Sequence, residues 1–177
     1  MRRRTRAREL ALQFLYTLDI RGDDVRNDLD NFLDRSGASR VARQFATALV
    51  DGVRAHRADL DGRMRKLAEN WSLERMPPID RNILRLATFE LLHSADVPVN
   101  VAINEAIDLG KRYSTANSGA FINGLLDKLK NGRGLPVEIA DAPDLTDEEE
   151  VGAAAPTAEL APELSLDDEP PAAGSKA

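Results

Sequence analysis

The 177-residue sequence contains no cysteine and few aromatic residues: one tryptophan, two tyrosines and five phenylalanines. Without cysteine, the chain can have neither a disulfide framework nor a thiolate metal site or nucleophile. No apolar run approaches the roughly 18 residues that a membrane-spanning helix requires. The arginine-rich start lacks the apolar core and cleavage site of a signal peptide. We therefore expect a cytoplasmic protein without membrane contact.

The sequence also lacks the patterns that carry common enzyme chemistry. Its two histidines are far apart; we interpret His56 as part of an apolar helix face and His93 as a helix C-terminus. No Walker-type or Gly-x-Gly-x-x-Gly phosphate loop is present. Two carboxylates three residues apart precede two basic residues one turn on, which favours an exposed ladder of ion pairs over a catalytic pair. These four residues are Glu105, Asp108, Lys111 and Arg112. We expect no enzymatic activity, no cofactor and no metal site.

Charge is distributed unevenly along the chain, although the formal net charge is only −6. Residues 1–137 carry 23 lysines and arginines against 18 acidic residues, a net of +5. Residues 138–177 carry twelve acidic residues and one lysine, a net of −11, together with five of the nine prolines and no aromatic residue. Such a segment cannot bury enough apolar surface to offset its ordering entropy. We predict one folded domain, residues 1–137, followed by a disordered acidic tail, residues 138–177.

Apolar residues recur at helical spacing throughout the predicted domain, with no alternating pattern typical of strands. Ser39 is expected to cap one helix, and Asp61-Gly62 to kink or split it, because a mid-helix glycine costs about 1 kcal/mol relative to alanine. Met76-Pro77-Pro78 marks a boundary. The pattern predicts an all-α domain of six or seven helices, over about 4–20, 25–35, 39–69, 79–93, 99–113 and 118–130.

Five of the first eight residues are arginines, at the start of the first predicted helix. A helix N-terminus already carries partial positive charge, so a purely structural reason for the cluster is weak. Guanidinium groups neutralise phosphates and stack on bases, which favours nucleic-acid binding; a solvated basic end that aids solubility is the alternative. Tyr16, on the predicted polar face of this helix, could stack on a base or pack half-buried against a neighbouring helix.

Four blocks carry a more specific signal. They are R-R-x-R-x-R-E-L-A-L-Q-F-L-Y over 3–16, W-S-L-E-R-M-P-P-I-D-R-N-I-L-R-L-A-T-F-E-L-L over 71–92, D-V-P-V-N-V-A-I-N-E-A-I-D-L-G-K-R-Y over 96–113, and S-G-A-F-I-N-G-L-L-D-K-L over 118–129. In this order and spacing, the chain resembles the NusB transcription antitermination factor family over about residues 3–130. The resemblance implies an all-helical fold of two small bundles packed together.

The same resemblance implies a function. NusB-type factors bind the boxA element of nascent transcripts, above all ribosomal RNA leaders, as single-stranded RNA. They act jointly with NusE, a small-subunit ribosomal protein, and help RNA polymerase resist termination without being enzymes. Some relatives self-associate, so a homodimer is possible. The runner-up is a NusB-like protein-interaction module without RNA binding of its own. A NusB-like domain of an RNA cytosine methyltransferase is a further alternative, but no catalytic domain is recognisable in the sequence.

The resemblance also implies which residues bind. RNA contacts in the family come from the starts of the first and last helices, which are therefore expected to lie side by side. Asn117 stands where relatives commonly have an acid, which should favour RNA, whereas Ala120 replaces a residue that is often larger or basic. The expected RNA-binding residues are Arg2, Arg3, Arg4, Arg6, Arg8, Tyr16, Arg85, Asn117, Ser118 and Phe121. The expected NusE contacts are Asp80 and Phe89.

Overall fold

The computed structural model describes residues 2–68 and 72–132, which form seven α-helices and two short 3-10 helices and no strand. The α-helices are α1 Arg3–Arg21, α2 Leu29–Arg35, α3 Arg40–Ala55, α4 Arg57–Leu67, α5 Pro78–His93, α6 Val99–Tyr113 and α7 Ser118–Asn131. The 3-10 helices, Asp23–Asp28 and Leu73–Arg75, precede α2 and α5. The predicted all-α fold is confirmed. The predicted tail lies outside the described residues.

The helix boundaries follow local chemistry in two places and tertiary packing in a third. Ser39 caps α3, as predicted, because its hydroxyl accepts a hydrogen bond from the Ala42 amide, and Pro78 begins α5 where no intrahelical N–H is needed. The predicted break at Asp61-Gly62 is wrong. The chain instead breaks at His56, whose φ of −103° and ψ of 8° separate α3 from α4. Burial of Leu60 and Met64, on either side of Gly62, holds α4 in the core and outweighs the small propensity cost of one glycine.

Two apolar cores hold the domain together. The first lies among α1, α2 and α3 and includes Leu10, Phe14, Leu29 and Leu49. The second lies among α4 to α7, and its central residues include Met64, Ile83, Leu84, Ile103, Ile122 and Leu126. Helix α5 belongs to both, since Leu86 faces the first core while Ile83 and Leu84 face the second. This double burial explains why α5 is apolar nearly all round, and the two-bundle architecture is confirmed.

A buried ion-pair cluster ties the bundles together at the C-terminal end of α1. The Asp19 carboxylate accepts hydrogen bonds from Arg57 and Arg81 at 3.0 Å and from Arg85 at 3.1 and 3.2 Å. Burial disfavours the ionised carboxyl, but the Arg81 hydrogen bond and the three guanidinium charges outweigh it, so the pKa of Asp19 is lowered. Across both described ranges, no helix combines the length and hydropathy needed to cross a bilayer.

Candidate nucleic-acid interface

The start of α1 presents arginines to solvent, as the sequence predicts. Arg2, Arg3 and Arg4 are exposed, and the first turn of α1 contains no acidic residue. Arg4 donates to the Asp96 carboxylate at 2.6 Å, in the turn between α5 and α6. Its guanidinium also lies 5.1 Å from the centroid of the Phe45 ring on α3. These contacts orient the Arg4 side chain although the surface is exposed to solvent.

Arg8 is an exception, and its predicted place on the RNA-binding surface needs correction. Only 1% of the residue is exposed. Its guanidinium donates to both carboxylate oxygens of Glu90, at 2.8 to 3.1 Å, and lies 3.7 Å from Glu105. Arg8 lies one turn after Arg4, where α5 and α6 pack against α1. Its side chain therefore faces the protein interior. It anchors the start of α1 instead of offering a donor to phosphate.

Glu9 joins α1 to the last turn of α6. Its side chain is 2% exposed and pairs with Arg6 at 3.2 Å and with Arg112. Arg112 stays half-exposed, and a hydrogen bond with Tyr113 and the Glu9 charge raise its pKa. The predicted ladder of ion pairs within α6 is wrong, because Glu105 accepts from Thr5 at 2.8 Å and Arg112 reaches α1. Both contacts cross between helices.

The start of α7 is organised around a buried hydroxyl. Ser118 is 2% exposed, and its Oγ donates to Asp80 Oδ2 at 2.9 Å and accepts from the Thr115 amide at 3.2 Å. Ser118 and Asp80 are therefore not at the surface, and their predicted direct contacts with RNA and NusE need correction. They hold the helix start in place. Asn117, one residue earlier, is exposed, and Phe121 is half-buried.

The starts of α1 and α7 are joined through the end of α6. A Cβ placed on Gly119 would lie 3.1 Å from the Lys111 side chain, so α7 begins directly against that residue. The next residue, Arg112, bonds to Glu9 of α1, which also holds Arg6. The two helix starts are thus connected through α6, with Lys111 and Arg112 between them.

Two further expected residues lie away from this junction. Arg85 is 4% exposed, and its guanidinium donates to both oxygens of Asp61, at 2.7 and 2.9 Å, as well as to Asp19. Its predicted RNA contact therefore needs correction, because the guanidinium donates to Asp61, Asp19 and the Asn82 amide oxygen within the protein. Tyr16 is 39% exposed and stands one turn before Ile20, which is 63% exposed. The sequence reasoning missed this apolar pair, although the spacing i, i+4 would have revealed it.

Phe89 is half-buried within a cluster of rings. A Cβ on Gly52 would overlap its ring, so α3 and α5 touch at this point. His56 and His93 stack with centroids 4.1 Å apart, and His93 lies 5.1 Å from Phe89. Burial and the His56 charge lower the pKa of His93. The placement of His56 on an apolar face is wrong, since it is exposed at the break between helices.

Among the described residues, no group of three or more metal-ligating side chains occurs.

These features define a small, all-helical, two-bundle protein with a basic surface at its helix starts that suits a polyanion. The NusB family model matches residues 5–131, and the chain belongs to the NusB family. It is 49% identical to the transcription antitermination protein NusB of Anaeromyxobacter dehalogenans strain 2CP-1 over 131 residues, 73% of this chain and 92% of the relative.

Solved structures agree with this membership. The fold is similar to that of T. maritima NusB, with a TM-score of 0.70 and 36% identity over 75% of this chain and 93% of that one. It is also similar to a chain in a crystal structure of the antitermination factors NusB and NusE in complex with double-stranded RNA. That match has a TM-score of 0.67 and 28% identity over 74% of this chain and 98% of the other.

Proposed function

We propose that this chain is a transcription antitermination factor that binds boxA-type RNA of nascent ribosomal transcripts together with NusE and helps RNA polymerase resist termination. The observation that carries the proposal is the group of exposed arginines at the start of α1, which the end of α6 connects to the start of α7, in a member of the NusB family. The protein acts in the cytoplasm, where transcripts emerge, and catalyses no reaction of its own. RNA binding belongs to residues 1–137.

The RNA-binding residues of this proposal are the exposed and partly exposed ones at the two helix starts. The buried Arg8 and Ser118 hold the two helix starts in place through hydrogen bonds to Glu90 and Asp80. Guanidinium groups suit phosphate oxygens, and the exposed Asn117 amide suits base edges or sugar hydroxyls. The set consists of Arg2, Arg3, Arg4, Arg6, Asn117 and Phe121.

NusE occupies a different part of α1 in this proposal. Tyr16 and Ile20 form an exposed apolar pair, which suits a protein surface better than a phosphate backbone. Arg6 and Tyr16 are ten residues apart, about 15 Å along the helix, so RNA and NusE can bind side by side. Changing Tyr16 to alanine should weaken NusE binding and leave RNA binding without NusE unchanged. A loss of RNA affinity in the absence of NusE would make Tyr16 a base-stacking residue instead.

The central experiment is a titration of fluorescent boxA-like single-stranded RNA with the full chain, with and without NusE. Four phosphate contacts predict a slope of log K against log salt near −3, or a roughly 50-fold loss of affinity between 50 and 200 mM salt. NusE should increase the affinity. Affinity that is insensitive to salt and to NusE would refute the proposal. A duplex of the same sequence, titrated in parallel, shows which form of the RNA the surface prefers.

A protein-interaction module without RNA binding is the second candidate, and one set of variants separates the two. Replacing Arg3, Arg4 and Arg6 together by alanine should abolish RNA binding and preserve NusE binding. Arg63→Ala is the matched control, because this exposed arginine pairs with Asp59 on its own helix. RNA affinity that survives the triple replacement would favour the module. A methyl-transfer assay with S-adenosylmethionine should show no turnover.

A further inference from the structure

We propose that Lys111 and Arg112, in the last turn of α6, bind the RNA backbone between the two helix starts, and that Glu9 is the residue that positions Arg112 for this contact. The proposal rests on the RNA-binding function given above. It adds the end of α6 to an RNA-binding surface otherwise formed by the starts of α1 and α7.

Lys111 and Arg112 lie between the two helix starts. Lys111 packs its aliphatic stem against Gly119 at the start of α7, and Arg112 pairs with Glu9 on α1. A strand that contacts Arg6 and Asn117 at once must therefore pass over the end of α6. Both α6 residues are exposed, so a phosphate there can reach them without any rearrangement of the fold.

The ion pairs around Glu9 leave Arg112 able to bind a further anion. A single carboxylate, 2% exposed, faces the guanidinium groups of Arg6 and Arg112, so the group of three retains a net positive charge. Half of the Arg112 side chain remains exposed, and guanidinium has five donors, more than one carboxylate can satisfy. Arg112 also lies 6.0 Å from the Tyr113 ring, on the side of α6 to which its pair with Glu9 orients it. A partly satisfied arginine in a fixed orientation is well suited to bind phosphate at a low entropic cost.

The test measures RNA affinity and its salt slope for single variants of the full chain. Losing one phosphate contact with single-stranded RNA should reduce the slope by about 0.7, which is an approximately fivefold loss of affinity at 0.1 M salt. We expect this result for Arg112→Ala, and roughly its square for the double change Lys111→Ala with Arg112→Ala. Arg112→Lys should restore the slope. Arg63→Ala, which removes the same charge from α4, should leave affinity nearly unchanged.

Glu9→Asp tests positioning without changing charge. The shorter side chain can no longer reach both arginines, so affinity should fall several-fold in the wild-type background and by less in the Arg112→Ala background, where only the contact of Glu9 with Arg6 remains to be lost. Thermal unfolding checks that each variant is folded. If the wild type binds RNA with a steep salt slope while Arg112→Ala and Lys111→Ala match it, this inference is wrong and the proposed function stands. If the wild type itself shows no salt-dependent binding, the proposed function fails first.

Discussion

Replacing Arg8 with methionine should destabilise the folded domain strongly, because it leaves a buried carboxylate without its partner. Arg8 and Glu90 have side chains 2% and 1% exposed and share three hydrogen bonds of 2.8 to 3.1 Å. Removing one member of a buried pair costs about 3–5 kcal/mol. For a domain of this size, that loss corresponds to a fall in Tm of roughly 10–20 °C.

The pH dependence of this loss identifies its cause. Burial raises the pKa of Glu90, and the Arg8 charge and hydrogen bonds oppose the rise. Without Arg8, the folded state should bind a proton at Glu90 more tightly than the unfolded chain does. The deficit is therefore complete above the raised folded pKa and shrinks as the pH falls through it.

Urea unfolding of the full chain at several pH values measures both effects. A double variant, Arg8→Met with Glu90→Leu, replaces the pair by apolar groups and should recover most of the lost free energy of unfolding. The reasoning would be refuted if Arg8→Met costs less than about 1 kcal/mol at neutral pH, or if its deficit does not shrink as the pH is lowered.

Three further predictions concern other parts of the chain. Asp19→Asn should lower the free energy of unfolding by about 3 kcal/mol at pH 7, because it removes the carboxylate charge shared by three guanidinium groups, of which Arg85 keeps its pair with Asp61. Because the folded pKa of Asp19 is lowered from 3.8, its contribution is present above that value, and the gap to wild type should close as the pH falls through the folded pKa. Gly52→Ala should cost about 1–3 kcal/mol in thermal unfolding, since the new Cβ overlaps the Phe89 ring, whereas Gly62→Ala, with open space around it, should be neutral or stabilising. Deleting residues 138–177, whose net charge is −11, should raise RNA affinity at low salt if the tethered acidic segment competes for the basic surface; unchanged affinity would rule that competition out.

Much of the fold follows from local sequence features. The apolar spacing, the Ser39 cap and Pro77-Pro78 each act within a few residues of themselves, and the helices begin and end close to where these features predict. The break at His56 could not be predicted in this way. Residues distant in sequence, Phe89 and His93, pack against this corner, and a propensity scale contains no information about them.

Some residues of the candidate site could likewise be predicted from the sequence, and others could not. The exposed arginines at the start of α1 and the exposed Asn117 at the start of α7 could be named from the sequence alone, because their chemistry and the family pattern agree. The roles of Arg8 and Arg85 could not. Each is an arginine on a helix, and nothing within its own helix shows that a carboxylate from another helix meets it in the interior.

The sequence by itself determined an all-helical domain with a basic start, because helical periodicity and charge are properties of short segments. Only the tertiary structure decided which arginines face solvent and which are buried, because a second bundle covers part of the polar face of α1. It also placed Lys111 and Arg112 between two helix starts that are more than 100 residues apart along the chain. Long-range packing brings these residues together, and no local pattern records the distance between them.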